Sequence, residues 1–359
     1  MTAVDPQVLV NLLDVERLVE RKIQVGAHGY FAGGAGDERT LRDNREAFAR
    51  YRLLPRVLVD VSEVSTATTV LGTKVDMPVL VAPTALQRMA HPDGEPAMAR
   101  AAAGAGTIMI VSTLATTTLR DVAQAAPAAP RWLQVYVLKD RGVTRAMIDE
   151  AVACGYEALV LTVDAPGAGH RERDTRNGFV VPEGLDMPGV TAAAGRSAGY
   201  SPHAFFELVD KSLTWRDLEA LVAECEVPVL VKGIHTAADA RLAVEHGVAG
   251  VIVSNHGGRQ LDGVPAAIDL LEPVIQEVGG ETEVLLDGGV RRGTDVLVAL
   301  ALGARAVLVG RPPLWGLAWD GEAGARWVLD TLRDEVALGL TLLGAPTPTD
   351  VTRAHVQTA

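Results

Sequence analysis

The chain has little cysteine: Cys154 and Cys225 are the only two among 359 residues, and they form no CxxC pair. That excludes a disulfide scaffold and a zinc finger and points to a reducing compartment. No HExxH and no Cys/His cluster occurs, so no metal ligand set is expected. Basic runs are absent and the formal net charge is −12, which argues against nucleic acid as a partner. The excess acid reads as solvated surface. No segment approaches the roughly 20 apolar residues that a membrane helix needs. Met1-Thr2-Ala3-Val4-Asp5-Pro6 has no basic stretch leading into an apolar one, and Val356-Gln357-Thr358-Ala359 carries no address. A cytoplasmic protein with no membrane attachment is expected. Neither GxGxxG nor GxxxxGK[ST] is found.

What is present is an ordinary globular composition, 48% hydrophobic and 22% charged, with enough apolar residues for a sizeable core. The length suits two domains or one large α/β domain. Eight short apolar runs recur: Val79–Ala82, Ile108–Ser112, Leu133–Val137, Ala158–Val163, Val229–Val231, Val251–Val253, Val284–Leu286 and Ala306–Val309. Runs of this kind suit parallel strands buried on both faces. Helical patterns lie between most of them, at Glu95–Ala105, Val143–Ala153, Thr236–His246 and Thr294–Leu302, and end at Gly106, Gly155, Gly247 and Gly303. Eight strand–helix units predict a (β/α)8 TIM barrel. A doubly wound sheet competes, but it usually carries GxGxxG after its first strand, and eight units favour closure.

One domain is expected over 1–359, with the barrel at 76–345. Residues 1–75 read as a helical preface: helices at Asp14–Ala27 and Thr40–Arg50, a capping box of Thr40 with Asp43, and a hairpin turning at Gly72. The stretch 173–212 after strand four shows no clear period until Thr214 starts a helix. It reads as a partly mobile lid, or as an insertion without a role.

Barrel chemistry collects at the carboxyl ends of strands. Those ends here are polar and varied: Pro83-Thr84-Ala85, Ser112-Thr113, Gln134 with Tyr136, Thr162 with Asp164, Lys232, Ser254-Asn255-His256, Asp287-Gly288-Gly289 and Gly310-Arg311. Strand five is expected to stop at Lys232. The segment Ser254–Gly263 places a base, His256, and a cation, Arg259, around glycines that allow close backbone approach to a flat ligand. Asp164 either caps a turn at Pro166 or orients His256 and stabilises its imidazolium, since strands four and six can face each other across a barrel mouth. Gly288-Gly289 and Gly310-Arg311, with Arg291, form the expected phosphate site, for a phosphorylated substrate or a phosphate-bearing cofactor. His170 could reach the site, and the other histidines have no argued partner.

These motifs resemble the FMN-dependent 2-hydroxy-acid oxidase and dehydrogenase family. Ser254–Gly263 and Asp287-Gly288-Gly289-Val290-Arg291-Arg292-Gly293-Thr294-Asp295 carry the resemblance most specifically, and it runs from about Tyr30 to the Trp315 region. It implies FMN as cofactor, a small 2-hydroxy acid as substrate, oxygen or another electron acceptor, and a homotetramer. It implies His256 as catalytic base and Asp164 as its partner. Arg171 and Arg259 are implied as the clamp on the substrate carboxylate, and Tyr30 and Tyr136 as active-site tyrosines. Lys232 is implied beside the flavin N1–C2=O edge, with Pro83, Thr84, Ala85, Ser112, Gln134, Thr162 and Ser254 on the flavin. Asp287, Gly289, Arg291, Gly310 and Arg311 are implied to hold ribityl and phosphate. The proton reaches His256 from the hydroxyl, or from C2 by a carbanion route.

Two departures from the family pattern bear on the substrate. Leu114 stands where several small-substrate members carry Trp, and Ala165-Pro166-Gly167-Ala168-Gly169 has small residues where others carry larger ones. Both are expected to widen the pocket towards a longer or aromatic acid such as mandelate. Ala85, where some dehydrogenases carry Gly, and the absence of a hydrophobic membrane-binding segment in 173–212 favour an oxidase.

Overall fold

The computed structural model describes residues 9–195 and 199–359, apart from the side chains of Pro202 and His203. The reading of Met1–Pro6 and the side chain of His203 lie outside the described residues. Eight parallel strands close a barrel: β1 (Val79–Val81), β2 (Met109–Val111), β3 (Arg131–Val135), β4 (Ala158–Thr162), β5 (Val229–Ile234), β6 (Gly250–Val253), β7 (Glu283–Asp287) and β8 (Ala306–Val309), with β8 pairing back to β1. Alternate residues of each strand serve two cores. Leu80, Ile110, Trp132, Val160, Leu230, Ile252, Leu285 and Leu308 fill the barrel interior. Their neighbours, such as Val81, Leu133, Leu161, Val231 and Val253, pack outward against the helices. Burial on both faces is why the runs are continuous instead of alternating. Each such side chain contributes about 1.5–3 kcal/mol.

The hairpin pairs Thr68–Val70 with Thr73–Val75, turning at Leu71 and Gly72, both with positive φ. Its Val70 and Val75 join the interior core, so it plugs the barrel floor. Glu283 Oε2 accepts the Leu71 N–H at 2.8 Å and holds it there.

The preface differs from expectation. Asp14–Ala27 is two helices, Leu12–Glu20 and Val25–Ala32, and the first starts before Asp14 because Asn11 is its cap: the Asn11 Oδ1 accepts the N–H groups of Leu13 and Asp14. Thr40 forms no capping box. The helix Arg39–Glu46 starts after Glu38, and Thr40 bonds instead to the loop beyond β6, donating to Val264 O and accepting the Gly263 N–H. Asp43 pairs with Arg50.

The stretch after β4 contains short helices at Glu172–Arg176, Pro188–Ala194 and Pro202–Phe206. Its end is pinned to the loop after β3: Lys139 N–H donates to Leu208 O and Asp210 N–H to Val137 O. Five- to seven-residue helices are too short to show a 3.6-residue period. A helix Arg311–Leu343, kinked at Asp320 and Gly321, follows β8, and Tyr51–Leu53 pairs with Val356–Thr358 outside the barrel.

Candidate active site

One cavity opens at the carboxyl ends of the strands. It is lined by Tyr30, Pro83, Thr84, Ala85, Ser112, Leu114, Gln134, Tyr136, Thr162, Arg171, Lys232, His256, Arg259, Asp287, Gly289, Arg291, Gly310 and Arg311. Of the site residues expected from sequence, only Asp164 and Ser254 do not line it; each stands directly behind a residue that does. His170 is not at the cavity, and its carbonyl accepts the Gly36 N–H.

Asp164 Oδ1 lies 2.9 Å from His256 Nδ1. The geometry differs from a meeting across the mouth: β5 alone separates β4 from β6, and the pair meets over it. Strand β5 does not stop at Lys232. It continues through a bulge at Gly233, whose φ is 110°, to Ile234. A Cβ on Gly233 would stand 2.5 Å from Asp164 Cβ and Cγ, so only glycine leaves room for the carboxylate.

His256 itself has a φ of 57°, a left-handed conformation that costs a non-glycine residue on the order of 1–3 kcal/mol. Ser254 supports it. The Ser254 hydroxyl accepts the His256 N–H at 3.1 Å and the Lys232 ammonium at 2.8 Å, and donates to Asp287 Oδ1 at 2.6 Å. Lys232 Nζ also lies 3.0 Å from Asp287. Ser254 thus joins the base to the lysine beneath the cavity floor.

Burial pushes the His256 imidazole below its ordinary pKa, and the Asp164 anion offsets this only in part. Burial alone would raise Asp164; the charge and hydrogen bond of His256, with Lys232 and His235, outweigh it and hold the carboxyl low. At neutral pH the pair is a carboxylate beside a neutral imidazole. With Nδ1 occupied by Asp164, Nε2 is the free basic nitrogen. Burial, with Asp164 near, also pushes the Tyr136 phenol up, so it remains a donor.

The arginines are placed by the preface. Arg259 Nη1 donates to Tyr30 O at 2.6 Å and Gly33 O at 2.9 Å, and its guanidinium lies 5.0 Å from the centre of the Tyr30 ring. Arg311 donates to Phe31 O, Gly33 O and Gly257 O at 2.9–3.1 Å. Most of these carbonyls belong to the end of the helix Val25–Ala32, where they lack helical partners and favour cations. Arg171 is held loosely, at 3.4 Å from Arg259 O and 3.5 Å from Gln260 Oε1.

Among the described residues no carboxylate pairs with Arg171, Arg259 or Arg311. Burial, then Arg171, pushes Arg259 down to about 10. Burial, then Arg259 and Arg291, pushes Arg311 down to about 9. Such a concentration of uncompensated cation calls for anions in the cavity.

The lining fits FMN. Arg291 and Arg311 border the end formed by β7 and β8, where Gly288 and Gly289 have positive φ and bring bare backbone to the cavity. At the other side Gln134 Nε2 is buried without a hydrogen-bond partner, a donor left for a ligand acceptor. Lys232 supplies a buried cation between these ends.

Residues 19–358 match the family described as FMN-dependent dehydrogenase. The chain belongs to that family. It is 47% identical over 358 residues to glycolate oxidase 3 of Arabidopsis thaliana, covering 98% of this chain and 96% of that one. It is 46% identical over 360 residues to an L-lactate oxidase of Nostoc sp., covering 98% of each. Among solved structures, a mandelate oxidase variant with 2-hydroxy-phenylacetamide superposes with a TM-score of 0.89 at 39% identity, covering 98% of this chain and 99% of that chain. A chimeric (S)-mandelate dehydrogenase variant gives 0.91 at 36% identity, covering 98% and 100%. The two solved structures share the closed barrel seen here, and FMN is the family's cofactor.

Sequence reasoning missed Phe205 and Phe206. Both line the cavity and pack edge-on against Tyr136, with ring centres 5.5 and 5.7 Å away. Adjacent aromatics in an aperiodic stretch were the available signal. The widening expected from Ala165–Gly169 is not seen, because none of these residues lines the cavity. Gly169 packs on the Arg259–Gln260 backbone, where a Cβ would fall 2.1 Å from Arg259 O. The small size of Gly169 serves that packing, and of the two departures only Leu114 lines the cavity.

Proposed function

We propose that the protein is an FMN-dependent (S)-2-hydroxy-acid oxidase that forms the 2-oxo acid and passes the electrons to oxygen. The observation that carries this is a carboxylate-backed imidazole and two arginines without carboxylate partners around one cavity. Arg171 and Arg259 bind the substrate carboxylate, and the forked guanidinium of Arg259 fixes its orientation. His256 Nε2 takes a proton from the substrate. Asp164 keeps the other nitrogen protonated and stabilises the imidazolium that results. Tyr30 and Tyr136 bound the substrate end, with the Tyr136 hydroxyl kept protonated as a donor. Lys232, fixed by Ser254 and Asp287, offers positive charge to the cofactor. FMN, when bound, supplies the two-electron acceptor. Asp287, Gly289, Arg291, Gly310 and Arg311 hold its ribityl phosphate, and Pro83, Thr84, Ala85, Ser112, Gln134 and Thr162 its ring.

Leu114, on the same cavity as Phe205 and Phe206, supports a longer or aromatic acid such as mandelate over glycolate. Ala85 supports oxygen as acceptor. The mandelate- and lactate-oxidising relatives are compatible with both readings. No helix among the described residues is long and apolar enough to cross a membrane. A cytoplasmic homotetramer is part of the same proposal. Its support is an exposed apolar set: Arg56 N–H bonds Leu343 O, which brings Val57, Leu58 and Val59 beside the helix end carrying exposed Leu338 and Leu342.

The test is anaerobic addition of (S)-2-hydroxy acids to the purified yellow protein, followed by air. Bleaching of the visible absorbance by mandelate, and its prompt return in air, is expected. Bleaching without return in air would make the protein a dehydrogenase with another acceptor. No bleaching by any acid of the panel would refute the proposal.

A further inference from the structure

We propose that Glu95 is a positioning residue for substrate size: its carboxylate clamps the loops after β1 and β2 and thereby sets the cavity wall bearing Ala85 and Leu114. This rests on the hydroxy-acid reading above. Glu95 is the second residue of the helix Gly94–Gly104, is fully buried and does not line the cavity. Among the described residues no Lys, Arg or His forms an ion pair with it. A buried carboxylate without a cation is costly unless donors surround it. Four do. Oε1 accepts the N–H groups of Gln87 at 3.3 Å and Thr116 at 2.8 Å; Oε2 accepts the hydroxyls of Thr116 at 2.6 Å and Thr117 at 3.0 Å.

Gln87 belongs to the loop after β1, and Thr116 and Thr117 to the loop after β2. All four donors come from these two loops, so the one carboxylate ties the loops to each other as well as to the helix start. The clamp continues in both directions. Thr116 Oγ1 accepts the Arg88 N–H at 3.2 Å, and the Gln87 side-chain amide donates to Thr84 Oγ1 at 2.9 Å. Leu86 N–H donates to Leu114 O at 3.1 Å, joining the loops edge to edge. Thr84, Ala85, Ser112 and Leu114, all on the cavity, lie between these anchors. Pocket width is therefore held by a carboxylate that touches neither substrate nor cofactor.

The test compares the parent with Glu95→Gln, which keeps the shape but loses an acceptor oxygen, and Thr116→Val, which cuts the bridge to Arg88. The first readout is the mandelate-to-glycolate ratio of kcat/KM in flavin-loaded protein, well below the unfolding midpoint. A change of about tenfold in the same direction in both variants is expected. The second is amide hydrogen exchange of segments 84–89 and 112–117, which should lose protection together, with or without FMN. A ratio within about twofold of the parent in a folded variant, which is under 1 kcal/mol of selectivity, overturns the proposal. Unchanged exchange in both segments overturns it too. If Glu95→Gln does not fold, Thr116→Val decides by the same criteria. A parent oxidising neither acid would instead defeat the functional reading, and the exchange data would still judge the clamp.

Discussion

Gly233 lies directly beneath Asp164: a methyl group on it would stand 2.5 Å from the carboxylate's Cβ and Cγ. This strand residue lets Asp164, just beyond β4, reach His256, just beyond β6, over the intervening β5. A backbone feature of one strand thus determines whether the base beyond its neighbour is oriented.

Gly233→Ala should therefore damage chemistry as well as stability. Its φ of 110° already disfavours alanine, so the fold should lose on the order of 1–3 kcal/mol. Displacement of Asp164 should slow flavin reduction about a hundredfold. Denaturant unfolding and anaerobic stopped-flow absorbance measure the two effects. A variant with parental reduction rate would show that the carboxylate has room elsewhere.

The pH dependence follows from the buried pair. The rate should fall as pH drops through the His256 pKa, because protonation removes the base, and that limb should lie below the ordinary imidazole value of about 6.5. Asp164 raises the His256 pKa, so Asp164→Asn should move the limb lower still. The plateau should drop by about 10²–10⁴ because the imidazole tautomer is no longer fixed. A limb shifted to higher pH would contradict the assignment.

Arg311→Gln tests the phosphate end. Losing a charged hydrogen-bonding group there should weaken FMN binding by about 1.5–3 kcal/mol. Riboflavin, which has no phosphate, should lose much less. Titration of the cofactor-free protein by flavin fluorescence measures both. Equal losses would mean that Arg311 acts only through the carbonyls of Phe31, Gly33 and Gly257.

Leu114→Trp should narrow the pocket. The mandelate kcat/KM should fall at least about tenfold relative to glycolate, because overfilling a packed wall costs about 1–3 kcal/mol. Steady-state oxygen uptake with each acid gives the ratio. An unchanged ratio would move the size limit to Phe205 and Phe206.

The barrel was legible in the sequence because continuous Val/Ile/Leu runs are what strands buried on both faces require. The site was legible for a related reason: Thr162, Asp164, Lys232, Ser254, His256 and Asp287 follow those runs at or near their carboxyl ends. Local patterning does not carry which neighbours will compete. Thr40 looked like a cap, but bonds to Gly263 and Val264, more than two hundred residues on, took its hydroxyl. Lys232 looked terminal because the bulge at Gly233 has no apolar side chain to mark the strand's continuation. Gly169 looked like a pocket-widening residue, yet it faces the backbone of Arg259. Phe205 and Phe206 were hidden by helices too short to show a period. Glu95 gave no signal, since its partners lie on two loops that only the closed barrel brings together.

The central claim is that His256 is the base. Its most direct test is the rate of anaerobic reduction of the bound flavin by (S)-mandelate, or by the best acid of the panel, in His256→Ala. The protein should stay yellow, with FMN bound at parental stoichiometry, while reduction slows by about 10²–10⁴. Reduction at near the parental rate in that yellow variant would contradict the account.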